Sequence, residues 1–282
     1  MEDIQELEPH EAEPQPNPGL CIQPDAYFIE LSLDWIVLRA SENIHRLLGE
    51  SHVTLIDEPL GRFVHSQALH DLRNLFSRLS GTTGIGRAYA VRLTNDPDLF
   101  DIAFQLSDGR VLLEAIPAAE SFGEAFGTVG GLIAGLSSSS GHALLDAGAR
   151  RMRALTGFDR VTLICGDDRA ESSRGAFAGP CDLSADVPAI VADTEGTAVS
   201  IFPRDEETSV ADALMRSPDR GALANAGVRS AMRVPFNVDG LTGEFRCESR
   251  TPRPASFELH AAAELFAQLF AMRLEIDHLK YG

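Results

Sequence analysis

The chain has 282 residues, of which 44% are hydrophobic and 23% charged, so it is long enough to form two domains with buried cores. Its formal net charge is −18, and a field of that sign repels nucleic-acid phosphates and anionic membrane surfaces. No apolar run approaches the roughly 20 residues of a membrane helix. The first residues are acidic, unlike a signal peptide. We therefore expect a cytoplasmic protein without a nucleic-acid or membrane partner.

The predicted elements divide the chain into two domains, and the first covers residues 20–120. Before it, residues 1–19 form an acidic, proline-rich arm that we expect to be disordered. The patterns within the domain predict two strands, an amphipathic helix and three more strands: Tyr27–Leu31, Trp35–Ala40, His65–Leu79, Arg87–Leu93, Leu99–Gln105 and Arg110–Pro117. This order of elements resembles that of a PAS domain.

The second predicted domain covers residues 142–282 and follows an imperfect linker helix at 121–141. Gly148 lies on the buried face of its first helix, where a glycine permits close packing. Residues 166–220 are predicted to be rich in loops. The predicted helices and strands are His142–Thr156, 158–164, Ala213–Met215, Ala222–Ala226, Ala231–Val238, Gly243–Glu248 and Ser256–Leu279.

Several short segments occur in the order in which similar segments occur in bacteriophytochromes. They are Cys21–Phe28, Gly157–Val161, Ser184–Ala189, Ala213–Pro218, Gly227–Met232 and the terminal run SFELHAAAELFAQLF, residues 256–270. The chain therefore resembles a bacteriophytochrome photosensory module, in which a PAS domain precedes a GAF domain. The resemblance implies an α+β fold with two antiparallel sheets, flanking helices and a long C-terminal helix. It also implies that Ile22 and Pro24 pass through a loop of the GAF domain and form a figure-of-eight knot.

Most residues through which that family attaches and surrounds its bilin pigment are replaced here. The resemblance places the attachment cysteine near Glu11, and no cysteine precedes Cys21, which is the candidate substitute nucleophile. Asp25 stands in place of one family histidine, and Glu248 and Ser249 replace a pair of histidines. A carboxylate cannot replace an imidazole without a change of charge. We therefore expect no cofactor, with biliverdin as the alternative.

Two positions keep the residue that the resemblance associates with the pigment. Asp186 corresponds to the aspartate whose backbone carbonyl faces the pyrrole nitrogens, and Arg216 to an arginine that engages a propionate. Each also has a structural interpretation, because Asp186 can shape a turn and Arg216 can pair with an acid. The helix that flanks the pigment in the family is expected to be missing after Pro188.

The function that the resemblance implies is that of a sensory or regulatory input module. We expect a homodimer coupled through its last helix to an output domain, such as a two-component histidine kinase. The broad apolar face of this helix predicts Phe266, Phe270 and Met272 in the dimer interface. A biliverdin photoreceptor and a GAF domain for another small ligand, such as a cyclic nucleotide, are the alternatives. A cyclic-nucleotide site would need a basic pocket for the phosphate, which the sequence does not indicate.

No catalytic or metal site is expected in these residues. Ser137–Ser140 lie close to His142 in sequence, but proximity along the chain does not create the geometry of a catalytic triad, so a serine-rich linker is the better interpretation. The acidic runs Asp167-Asp168 and Asp205–Glu207 are interpreted as solvated loops. Any kinase activity would lie in a separate output domain.

Overall fold

The computed structural model describes residues 20–79, 84–119, 123–177, 179, 187–204, 210–218, 220–238 and 240–281. In these residues the strands are β1 Cys21–Ile22, β2 Tyr27–Leu31, β3 Val37–Ser41, β4 Gly86–Val91, β5 Phe100–Ser107, β6 Arg110–Pro117, β7 Arg160–Cys165, β8 Asp168–Ser173, β9 Ile190–Val191, β10 Val199–Phe202, β11 Ser230–Val238 and β12 Leu241–Ser249. The helices are α1 His45–Leu48, α2 His52–Leu55, α3 Ser66–Leu79, α4 Glu124–Ala134, α5 His142–Thr156, α6 Arg220–Asn225 and α7 Phe257–Tyr281. None of the described helices is long and apolar enough to cross a membrane.

The first sheet has seven antiparallel strands in the order β1-β10-β3-β2-β6-β5-β4. One of its faces packs against the short helices and α3, around a core that includes Trp35, Leu60, Leu72 and Phe104. The predicted bounds of β2 and β6 agree with the structure, and the other predicted elements of this half shift by only a few residues. The predicted α+β class, with antiparallel sheets and a long C-terminal helix, is confirmed.

Strand β10 comes from the second half of the chain but lies inside the first sheet. It pairs with β1 on one side and with β3 on the other. The opposite face of the first sheet, which carries Phe28 and Ile116, therefore shares a core with later residues that include Ile201 and Phe257. This shared core joins the two halves of the chain.

The second sheet has five antiparallel strands in the order β8-β7-β12-β11-β9. Helices α4, α5 and α7 cover one face, where Phe245 meets Phe270 at a ring-centroid distance of 5.3 Å. A Cβ atom at Gly148 would lie 2.4 Å from the Phe270 ring, so α5 can approach α7 only because residue 148 is glycine. The predicted role of Gly148 in close packing agrees with this geometry.

The side chains of Phe266 and Phe270 are fully buried in this core. They fill the space between α7 and the sheet, so they cannot present a surface to a second chain. The prediction that these two residues form a dimer interface is therefore wrong. Met272, the third residue of that prediction, is 52% exposed.

Two predicted elements differ from the structure between residues 166 and 220. Strand β8 lies where loops were expected, because its polar sequence buries only Ala170 and Ser172. Ala213–Met215 forms a turn instead of the predicted helix. The linker helix is also shorter than residues 121–141, since α4 ends at Ala134.

Candidate functional site

Strand β1 and the residue after it lie between two later segments of the chain. On one side β1 pairs with β10. On the other side, the Ser217 amide donates to the Cys21 carbonyl at 2.8 Å, and the Gln23 amide donates to the Met215 carbonyl at 2.9 Å. We call residues 21–23 the threaded segment. Its central side chain, Ile22, is fully buried.

Gln23 is a buried amide that sequence reasoning did not single out. Its Nε2 donates to the Ile190 carbonyl at 2.7 Å and to the Arg216 carbonyl at 3.2 Å. Its Oε1 accepts from the Ala192 amide at 2.7 Å. One side chain therefore satisfies backbone groups of residues 190–192 and of Arg216, as a buried amide must. The position of Gln23 within the segment Cys21–Phe28 is the signal that could have identified it.

Glu114 of β6 holds the same region from the first sheet. The carboxylate is buried and accepts from the Leu214 amide at 2.8 Å and from the Met215 amide at 2.7 Å. Burial raises the pKa of Glu114 to about 7, although the two amide hydrogen bonds and the charge of Arg87 act to lower it. The backbone of residues 213–217 is therefore positioned by side chains rather than by a helical hydrogen-bond pattern.

The remaining predicted residues of this region have different environments. Pro24 is half-buried, and its carbonyl accepts from the Asn43 amide group at 3.3 Å, whereas Asp25 is exposed. Arg216 is half-buried, and its backbone forms a bridge with Ile22. Asp186, the other predicted bilin contact, lies outside the described residues.

The thiol of Cys21 is poorly suited to nucleophilic attachment. The residue is only 1% exposed. Burial raises the pKa of the thiol, while a hydrogen bond with Ser200 and the charge of Arg204 lower it to a smaller extent. The reactive species is the thiolate, so both access and ionisation oppose reaction at this sulfur.

The face of the second sheet opposite the aromatic core carries charged residues. Glu248 and Arg160 form a buried ion pair, with side chains only 2% and 4% exposed. Arg160 also donates to the Gly179 carbonyl at 2.8 Å and lies 4.1 Å from the centre of the Phe177 ring. Glu248, which the resemblance aligns with one of the paired histidines, is therefore already engaged by a cation of this chain. The second replacement, Ser249, accepts a hydrogen bond from the Asp159 amide.

A second group of ion pairs lies further along the same face. Arg233 donates through Nε to Glu244 at 2.9 Å, and Arg246 donates to the other oxygen of the same carboxylate. A further nitrogen of Arg233 donates to the Val187 carbonyl at 3.1 Å. The strand register places Glu244, Arg246 and Glu248 on one face, because side chains alternate along β12. We call these three residues, together with Arg160 and Arg233, the ion-pair face.

The segment that adjoins the ion-pair face is compact and apolar. A small cluster consists of Val187, Val191, Leu223, Val228 and Ala231. In the described residues 187–204 and 210–218 there is no helix. Among the described residues no group of His, Cys, Asp and Glu side chains is arranged to hold a metal ion.

Comparison with known proteins shows that this fold is similar to the chromophore-binding domains of phytochromes. No family model matches the chain. The fold matches the chromophore-binding domain of an unusual bacteriophytochrome from R. palustris with a TM-score of 0.74 and 22% sequence identity. This match covers 93% of this chain and 98% of that domain. It matches the chromophore-binding domain of a Stigmatella aurantiaca phytochrome with a TM-score of 0.73 and 22% identity, over 92% of this chain and 98% of that one.

The sequence comparison points to the same group. A bacteriophytochrome of Pseudomonas aeruginosa is 27% identical over 94% of this chain, and the chain spans 40% of the length of that relative. The predicted resemblance to bacteriophytochromes is therefore confirmed in sequence and in fold, and the low identity shows that the chain is divergent.

Proposed function

We propose that this chain is a phytochrome-like input module that does not bind a bilin and acts as a dimerising scaffold for signal transduction. In this proposal residues 20–120 are a PAS domain and residues 142–282 a GAF domain, joined by the linker of residues 121–141. The similarity to bacteriophytochrome sequence and fold supports the sensory role. The threaded segment supports the knot, because β1 is enclosed by β10 and by the backbone of residues 215–217.

The buried Arg160–Glu248 pair is the observation that carries the proposal of a bilin-free module. In the family this position of the last strand holds a histidine that hydrogen-bonds the pigment. Here the Arg160–Glu248 pair occupies this position, and both charged groups are removed from solvent. Displacing one partner would leave the other as a buried charge without compensation, which is strongly destabilising. A pigment that displaced Glu248 would have to bear that cost.

The experiment for this proposal is expression of the full chain in cells that make biliverdin. We expect purified protein without red absorbance and without zinc-induced fluorescence on a denaturing gel. A bacteriophytochrome photosensory module prepared in parallel is the positive control. Zinc-induced fluorescence that is lost in Cys21→Ser would overturn the proposal in favour of attachment at that thiol. A far-red absorbance band without zinc-induced fluorescence would also overturn the proposal and would establish non-covalent binding of the bilin.

A biliverdin photoreceptor is the alternative that one observation favours. The backbone of residues 213–217 is firmly held by Gln23 and Glu114, and this segment carries Arg216, the candidate propionate contact. A GAF site for a cyclic nucleotide is less well supported. Glu244 lies between Arg233 and Arg246 and reduces the positive charge that a phosphate would need.

We infer that the dimer forms through α7 along a different stripe from the one predicted. The apolar residues Leu265, Leu269, Met272, Ile276 and Leu279 follow one another at spacings of four and three residues, the repeat of a coiled-coil seam. Leu269 is partly buried, and the other four are 40% to 82% exposed. This stripe leaves Phe266 and Phe270 in the core and supports a second copy of the chain as the partner.

The oligomeric state in solution tests this seam. Light scattering should give a dimer for the wild-type chain at micromolar concentration and a monomer for Met272→Glu/Ile276→Glu, because two carboxylates would face each other across the seam. His278→Glu is the matched control, since residue 278 is exposed on the same helix but lies outside the seam. A monomeric wild type, or a double variant that remains dimeric, would contradict the proposed interface.

In this proposal the signal leaves through α7 toward an output region such as a histidine kinase, and the protein works in the cytoplasm. We therefore assign no reaction to these residues.

A further inference from the structure

The edge strand of the first sheet meets the output helix at a buried polar contact. Arg87 of β4 and His260 of α7 lie 173 positions apart in sequence, and their Nη2 and Nδ1 atoms are 2.9 Å apart. The side chain of His260 is 2% exposed and that of Arg87 is 9% exposed. The same Nη2 atom lies 2.9 Å from the Glu264 carboxylate. We call Arg87, His260 and Glu264 the interdomain joint.

The joint selects one protonation state of His260. A guanidinium only donates hydrogen bonds, so the Nδ1 atom that faces Arg87 must offer a lone pair. The other ring nitrogen, Nε2, lies 3.3 Å from the Arg233 carbonyl, which only accepts. His260 is therefore neutral and carries its hydrogen on Nε2. The Arg87 Nη2 group carries two hydrogens, one for His260 and one for Glu264.

We propose that the interdomain joint is a proton-sensitive contact, closed when His260 is neutral and loosened when His260 is protonated. A proton on Nδ1 would oppose the Arg87 donor directly and would place two cations in contact within a buried site. The Glu264 carboxylate, 3.5 Å from Nδ1, is then the acceptor that both cations must share. The strand that carries Arg87 would thereby lose its hydrogen bond to the histidine of α7.

The charged groups around the joint set the direction of its pH dependence. Burial lowers the pKa of His260 below the ordinary 6.5, and Arg87 lowers it further, whereas Glu264 raises it. The unfolded chain therefore binds this proton more readily than the folded chain does. It follows that the joint loses stability as the pH falls below about 6.5.

Other ionisable groups approach the joint from each neighbouring element. Tyr89 shares β4 with Arg87, and burial raises its pKa to about 12, so it remains neutral. Asp101 lies on β5, Glu114 on β6 and Glu258 at the start of α7. Arg87 interacts electrostatically with both Tyr89 and Glu114. On β11, Arg233 offers its carbonyl, and its guanidinium is paired with Glu244.

This inference goes beyond the proposed scaffold function, since it rests only on the contacts of the joint. It nevertheless gives the module an input. Because β4 belongs to the first sheet and α7 is the helix that would reach an output region, a proton taken up at His260 changes the contact between them.

Nuclear magnetic resonance of the histidine side chains in the full wild-type chain tests the protonation state directly. We expect His260 to carry its hydrogen on Nε2 and to take up a second proton only below the ordinary histidine pKa of about 6.5. Assignment by His260→Gln identifies the signal. A hydrogen on Nδ1 of the neutral ring, or a midpoint at or above the ordinary pKa, would overturn the proposal.

A double-mutant cycle between residues 87 and 260 tests the consequence. With Arg87→Gln, His260→Gln and the double variant, urea unfolding at neutral pH should give a coupling of about fivefold or more in the unfolding equilibrium constant. Below the pH at which the NMR titration shows His260 taking up its proton, the coupling should fall to within about twofold. His70→Gln is the control and should keep the pH dependence of the wild type. A coupling that does not change with pH would show a merely structural contact and would overturn the proposal.

Discussion

The threaded segment belongs to the first sheet and the ion-pair face to the second, and different forces hold each of them in place. Around Gln23 the contacts are hydrogen bonds of neutral groups to backbone, with each partner satisfied. On the ion-pair face, Arg160 and Glu248 are charged and almost without solvent. The first arrangement fixes the path of the chain, and the second replaces the imidazoles that the resemblance to bacteriophytochromes implies. The comparison teaches that a fold can persist while the chemistry of one of its faces changes.

The largest effect should come from breaking the ion-pair face. Glu248→Ala leaves Arg160 buried without its partner and should lower the free energy of unfolding by about 3–5 kcal/mol. The double variant Arg160→Met/Glu248→Leu should recover most of this loss, since no charge then remains. Urea unfolding measures both.

The exposed pair Glu58–Arg62 is the control for this prediction. Its side chains are 39% and 61% exposed, so Glu58→Ala should change the free energy of unfolding by about 0.5 kcal/mol or less. If Glu248→Ala were as mild as Glu58→Ala, the description of a desolvated pair would be wrong.

The threaded segment should respond almost as strongly to the loss of one amide. Gln23→Leu removes three hydrogen bonds to buried backbone groups and should cost about 3 kcal/mol. Gln67→Leu is the matched control, because Gln67 is exposed and bonds only to Asp71 among the contacts described. A loss below about 1 kcal/mol for Gln23→Leu would mean that this side chain does not hold the two segments together.

A pH profile separates the contribution of Glu114 from that of the joint. The folded pKa of Glu114 is about 7, above its ordinary 4.5, so the folded chain binds this proton more readily. The contribution of Glu114 to stability is therefore present at low pH and is lost as the pH rises from about 4.5 to 7. Urea midpoints across this range should decline less steeply with rising pH in Glu114→Gln than in the wild type. An identical profile in both would contradict the assigned pKa.

The smallest effects concern two glycines in helices. Gly148→Ala drives a Cβ atom into Phe270 and should destabilise the protein by about 1–3 kcal/mol. Gly131→Ala on α4 meets no atom within 4 Å and should stabilise it by up to about 1 kcal/mol. Thermal unfolding should shift in opposite directions, and equal shifts would show that the packing at α5 is looser than described.

The sequence predicts elements well where the local pattern and the burial agree. Helix α5 and strand β6 have the predicted bounds, since each shows a clear apolar periodicity. The turn at Ala213–Met215 was predicted as a helix, because nothing local indicates that Glu114, 100 residues earlier, accepts its amides. Tertiary contacts of this kind override helix propensity.

For the candidate site, the sequence indicates which pigment-binding residues of the related proteins have no counterpart, but not which contacts the substituted residues make. The missing histidines can be read directly, since Glu248 and Ser249 stand in their places. That Arg160 would meet Glu248 depends on the register of β7 against β12, and the roles of Phe266 and Phe270 depend on which side of α7 faces the sheet. The sequence alone leaves both of these open.

Titration of the purified full chain with biliverdin tests most sharply whether this module is free of a bilin. We expect no saturable change in the red and far-red absorbance of the pigment, because the buried Arg160–Glu248 pair stands where the resemblance implies a histidine partner for it. Saturable binding that produces a far-red band, with a reversible spectral change on illumination, would show instead that the module is a photoreceptor.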